Sequence, residues 1–188
     1  YIAKNEVEQE KFVMDGYAVF RDNRMIDTVN GDLATGINYL RDNVVMSSNY
    51  VAGENNKPVA LNVVNSKTKI TPKLEDDKLS VIIKVSLNST IREVHDRDFK
   101  ISKTSLDDLA AKENEVVTST IWQALDFAIQ NGIDIFDLND KVRMAFPVKW
   151  RSIRDRWREI YVSGTYQIEV RSKVKRSYNT DEPSARTN

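Results

Sequence analysis

Apolar positions along the chain follow two periods, and the switch between them divides it. Over 79–87 (LSVIIKVSL), Val81, Ile83, Val85 and Leu87 share one face, the period-2 signature of a half-buried strand. Tyr166, Ile168, Val170, Ser172 and Val174 alternate with polar and charged residues in the same way and predict a closing strand. Residues 12–20 and 25–29 read as a β-hairpin turning at Arg21-Asp22-Asn23-Arg24. Short β-type runs at 44–48, 59–64 and 67–70 are separated by the polar segments SSN, GENNKP and NSK.

Elsewhere the period lengthens to that of a helix. Leu33, Ile37 and Leu40 predict a helix from Asn30-Gly31-Asp32 to Asn43, with Asn30 or Asp32 as its cap. Ser105-Leu106-Asp107-Asp108 resembles a capping box, and from it Leu109, Val117, Ile121, Leu125 and Ala128 recur at helical spacing to an Asn131-Gly132 stop. That is a helix of about seven turns. Asp134 is expected to cap a second helix over 135–146. Pro147 is expected to open a third, carrying Trp150, Ile153, Trp157 and Ile160 or Tyr161 on one side.

These elements predict an α+β fold: an antiparallel β-sheet with one long and two or three shorter helices packed against it. Residues 1–11 read as a polar lead-in or linker, 12–178 as a single domain, and 179–188, with no large apolar side chain, as a disordered tail.

Charge and composition then remove function classes. The chain has 28 basic and 28 acidic residues among 188, so no global field draws it to nucleic acid, and any basic patch is local. Without Cys there is no disulfide framework, thiolate metal site or Cys nucleophile. No run approaches the ~20 apolar residues that span a bilayer.

Candidate chemistry is sparse. Asp134, Asp137 and Asp140 lack calcium-loop spacing and are read as helix-start acids. Glu113, Glu115 and Asp126 are read as a solvated helix face. His95, the only histidine, has no marked nucleophile or oxyanion site beside it and is read as a surface residue. No catalytic, cofactor or metal residue is assigned. The densest local charge is Lys149, Arg151, Arg154, Arg156 and Arg158, partly compensated along the helix by Asp155 and Glu159, with Lys173, Lys175 and Arg176 as a conceivable extension. Its two readings are a solvated, salt-bridged face, and a docking face for an acidic protein surface or lipid headgroups. Arg151, Arg154 and Arg158 are the candidate partner contacts.

Several of these residues fall in a familiar order. Ala18-Val19-Phe20 with Met25-Ile26, then Lys69-Ile70-Thr71-Pro72, then Gln130-Asn131-Gly132-Ile133-Asp134-Ile135-Phe136, Pro147-x-x-Trp150 and Trp157, resemble the C-terminal region of the C subunits of bacterial spore germinant receptors, the Ger(x)C lipoproteins. Where members usually carry Gly soon after Asp-Ile-Phe, this chain has Asp137-Leu138-Asn139. The resemblance implies a non-enzymatic subunit domain working by protein-protein contact with membrane-embedded A and B subunits to trigger germination. It implies a place on the outer surface of the spore inner membrane, held by an N-terminal lipidated Cys that is not in this chain. Nucleic acid is not expected as a partner, and no small-molecule site is identifiable. The alternatives are an exported adaptor or ligand-binding domain unrelated to spores, and a hydrolase using His95.

Overall fold

The computed structural model describes residues 2–4, 10–12, 16–21, 23–44, 47–53, 56–96 and 99–176. In chain order the elements are β1 (Ile2–Lys4), β2 (Glu10–Phe12), β3 (Gly16–Arg21), β4 (Arg24–Asn30), α1 (Gly31–Leu40), β5 (Ser48–Ala52), β6 (Pro58–Glu75), β7 (Lys78–Val94), α2 (Lys103–Asn131), α3 (Leu138–Ala145), α4 (Pro147–Ile153), a 3-10 turn at Arg154–Arg156, α5 (Trp157–Val162) and β8 (Thr165–Lys175). The α+β class holds. Two small antiparallel ladders, β1-β2 and β3-β4, accompany a four-stranded sheet ordered β5-β6-β7-β8. Part of the expected lead-in is thus β-paired, while the expected tail over 179–188 lies outside the described residues.

The centre of the sheet is one long hairpin. The runs expected at 59–64 and 67–70 are a single 18-residue strand, and Asn65-Ser66-Lys67 is no turn. A bulge between Val63 and Asn65 absorbs the irregularity and leaves Val64 exposed. Polar residues hid this continuity because few side chains beyond Val63 are buried, so hydrophobic alternation lapses although pairing with β7 continues. At the hairpin tip Asp76 and Asp77 both have positive φ, 46° and 60°, the two-residue I′ geometry that Asp tolerates.

β7 buries Leu79, Val81, Ile83, Val85 and Leu87 as its alternation requires. β8 pairs with it in parallel, from Ser80↔Thr165 to Thr90↔Lys175, so the sheet is mixed and not wholly antiparallel. A strand with one wet face reads as antiparallel from its own residues. The parallel pairing follows from what joins β7 to β8: a crossover holding every helix after α1.

α2 lies against both edge strands, β5 and β8, and against α1, so the sheet wraps around it. Leu109 near its start packs with Val51, Leu61, Ile91 and Val174; Val117, Ile121 and Ala124 pack in the larger core with Ile37 and the middle of β7. Gly36 allows the close α1–α2 crossing, since a Cβ there would stand 2.3 Å from the Thr120 carbonyl oxygen. The sheet edges are also blocked polar group by polar group. The Thr68 amide donates to Asp42 (2.7 Å), the Lys149 ammonium reaches the Leu74 carbonyl (3.3 Å), and the Ser172 amide donates to Asn114 of α2 (2.7 Å).

Two helix starts differ from expectation. Ser102, not Ser105, caps α2. Its hydroxyl accepts from the Ser105 amide at 3.1 Å and the Ser105 hydroxyl accepts from the Ser102 amide at 2.8 Å, a capping box with Ser in place of the acid. α2 is therefore 29 residues long and ends, as expected, on a left-handed Gly132. For α1, Asn30 holds the cap position but makes no side-chain cap bond.

Candidate functional site

The basic face sits on a broken helix. α4 ends at Ile153 and the 3-10 turn rotates the chain before α5 begins, so 147–162 is not one continuous helix. The inward side is apolar: Ile153, Ile160 and Tyr161 are buried, and Trp150 meets Trp157 edge to face with ring centroids 5.3 Å apart. Arg151, Arg154 and Arg158 are all exposed. Because the turn breaks the register, Arg154 contacts its neighbour Asp155 (3.4 Å), while Arg156 crosses to Asp77 at the β6–β7 tip (2.7 Å). These solvated pairs add little stability.

Arg158 has a more specific place. Its guanidinium lies over the end of α2, with Nε 2.4 Å from where a Cβ on Gly132 would stand. Arg21, from the β3–β4 tip, donates to the Asn131 carbonyl at 3.3 Å. Two cations therefore meet the negative end of the α2 dipole. Arg176, one of the residues that could have extended the patch, instead donates to the Ile101 carbonyl at 2.7 Å, just before α2 begins. α2 separates it from Arg158 by about 40 Å. Arg176 and the neighbouring β8 lysines thus lie towards the opposite end of α2, and the patch is confined to the α3–α5 region.

The three acids diverge. The Asp134 carboxylate accepts from the Leu138 amide (2.8 Å) and the Asn139 amide (2.6 Å), capping α3 from four residues upstream, so α3 starts three residues later than expected. Burial raises its pKa, and the amides of Asn139, Leu138 and Phe136 offset that only in part. Asp137 faces Arg41 at 3.5 Å and Asp140 faces Arg143 at 3.0 Å. Asp137 has φ 56°, a left-handed conformation that Gly adopts without strain and Asp tolerates. Among the described residues no three His, Cys, Asp or Glu are placed to hold a metal ion. His95 is half-exposed, 3.4 Å from Glu93. No helix among the described residues is long and apolar enough to cross a membrane.

Glu113 overturns its expected place on a solvated face: it is 0% exposed. One carboxylate oxygen accepts from Asn49 of β5 (2.9 Å) and from the Ser89 hydroxyl of β7 (2.8 Å), and Asn49 also reaches the Tyr39 hydroxyl at 3.4 Å. The other oxygen has no hydrogen-bond partner among the described residues. Burial raises the Tyr39 pKa; the hydrogen bond from Asn49 opposes this and the Glu113 charge adds to it. The signal was present in the sequence, because Glu113 lies between Leu109 and Val117 at i+4 steps on the buried stripe. Glu115 and Asp126 are exposed as expected.

Residues 15–178 match the family model described as spore germination B3/GerAC like, C-terminal. The chain belongs to this family. A solved structure, the crystal structure of the GerBC protein, superposes with a TM-score of 0.77 at 20% identity, covering 93% of this chain and 56% of that one. It shares the fold, and this chain spans just over half its length. A search of curated proteins finds no match.

Proposed function

We propose that residues 12–178 form the C-terminal domain of a germinant-receptor C subunit, which acts without catalysis by contacting the membrane-embedded A and B subunits. The observation that carries this reading is family membership over 15–178. The GerBC-like fold supports it. On this reading the full-length protein is held at the outer surface of the spore inner membrane by an N-terminal lipid anchor. Arg151, Arg154 and Arg158, all exposed, contribute a subunit contact. Exposed cations at a rim steer and orient association more than they strengthen it. The test is nutrient germination of spores in which all three are Glu. Germination should slow markedly at unchanged receptor abundance; a normal rate at normal abundance contradicts the contact.

A further inference from the structure

Among the described residues, the two most exposed large apolar side chains are close neighbours. Met144 is 79% and Val148 80% exposed, and they flank the Phe146–Pro147 corner where α3 gives way to α4. The corner is held from behind. Phe146 and Trp150 are partly buried against the main core, with Val142 and Ile153 fully buried on either side. The corner thus presents two apolar side chains to solvent.

The charge around that corner is one-sided. Residues 141–158, flanked by Asp140 and Glu159, hold seven basic side chains (Lys141, Arg143, Lys149, Arg151, Arg154, Arg156 and Arg158) and one acid, Asp155, in a chain whose 28 basic and 28 acidic residues balance overall. Arg143 is paired with Asp140 and Arg154 with Asp155, but every one of these groups is more than half exposed, and Arg151 has no ion pair among the described residues. We infer that this corner docks on an anionic lipid surface: Met144 and Val148 enter the headgroup layer while the exposed Arg143 and Arg151 remain at phosphate level. Apolar tips surrounded by long cationic side chains match the layering of a charged bilayer interface. This inference does not rest on the receptor reading, which concerns subunit contact through Arg151, Arg154 and Arg158.

The test is vesicle co-sedimentation of the full chain, comparing phosphatidylglycerol and phosphatidylcholine in equal parts with phosphatidylcholine alone. The chain should bind only the anionic vesicles, and the binding should fall with added salt. Met144→Ser with Val148→Ser should weaken binding about tenfold, as expected for withdrawing two apolar side chains from the interface. Arg143→Glu with Arg151→Glu should abolish it. Tyr50→Ser, which alters a 64% exposed side chain on β5, should leave it unchanged. All these sites are exposed, and circular dichroism checks that each variant is folded. Equal partitioning to both vesicles overturns the inference, as does binding that survives the Met144 and Val148 changes. So does finding no vesicle binding while another subunit protects Met144 from oxidation, which would make the corner a protein interface. The Met144 and Val148 changes leave the three arginines intact, so failure here is distinguishable from failure of the subunit contact.

Discussion

Removing Glu113 tests whether its buried hydrogen bonds hold α2 to both the edge and the centre of the sheet. In Glu113→Ala the Ser89 hydroxyl, 2.8 Å from the carboxylate, loses the acceptor it has in the fold, and Asn49 keeps only the 3.4 Å contact to Tyr39. A stranded buried donor costs about 1–3 kcal/mol, and deleting the stem of a fully buried side chain adds about 1–2 kcal/mol for the cavity. Opposing this, a buried carboxylate with no cation against it carries a desolvation penalty that any neutral replacement relieves. Glu113→Gln separates the terms. It also removes the carboxylate but keeps the stem and the accepting oxygen, at the cost of burying an amide group near the former unpartnered oxygen. The desolvation term cancels between the two variants, and the stranded Gln amide offsets part of the gain, so Ala should be less stable than Gln by about 1–2 kcal/mol. Urea unfolding followed by far-ultraviolet circular dichroism reads the difference. Two variants within about 0.5 kcal/mol of each other would refute the network, because nothing would then depend on the acceptor.

Other perturbations probe the packing and the charge around it. Gly36→Ala places a methyl 2.3 Å from a helix carbonyl that cannot swing aside, so the α1–α2 crossing must open; a loss of about 3 kcal/mol and a Tm lower by about 6–12 °C are expected by calorimetry. At Gly132 the group in the way is the end of the flexible Arg158, so Gly132→Ala should cost only about 1 kcal/mol, chiefly for the left-handed backbone. Asp134 has a raised pKa in the fold, so its contribution to stability is complete below the ordinary carboxylate value and is lost as pH rises through the folded value. The stability of Asp134→Asn relative to the parent should therefore improve as pH rises through that range, as read by unfolding titrations across pH; a difference constant with pH would contradict the shift. Asp42 has the opposite sign. Burial pushes its carboxyl up, but Lys67 and the Thr68 amide outweigh that, so its contribution is present at neutral pH and lost on acidification.

What could be read from the sequence was whatever depended on one element's own period. The buried faces of β7 and β8, the Gly132 stop and the Trp150–Trp157 contact follow from residues close in the chain. What escaped depended on a neighbour. The pairing of Asn65 to Lys67 is dictated by β7, not by their propensity, and the direction of β8 is dictated by the helices that precede it. The start of α2 moved because two serines can close a capping box without an acid. At the candidate surface the exposure of Arg151, Arg154 and Arg158 was readable, since Ile153 and Trp157 fix the inner side. The course of Arg158 over Gly132, and of Arg176 to the far end of α2, required the tertiary fold. Glu113 shows the reverse case, in which helical phase pointed inward and only the chemistry of a carboxylate argued for solvent.

On the proposed function this domain meets the membrane-embedded subunits through the basic face after Pro147. A photo-cross-linker in place of Arg154, in dormant spores carrying the full-length protein, tests it most directly. A covalent adduct with the A or B subunit should form, and should be lost when those subunits are deleted. An Arg154 cross-linker that captures neither subunit, while one placed at Tyr50 of β5 captures either of them, would contradict it.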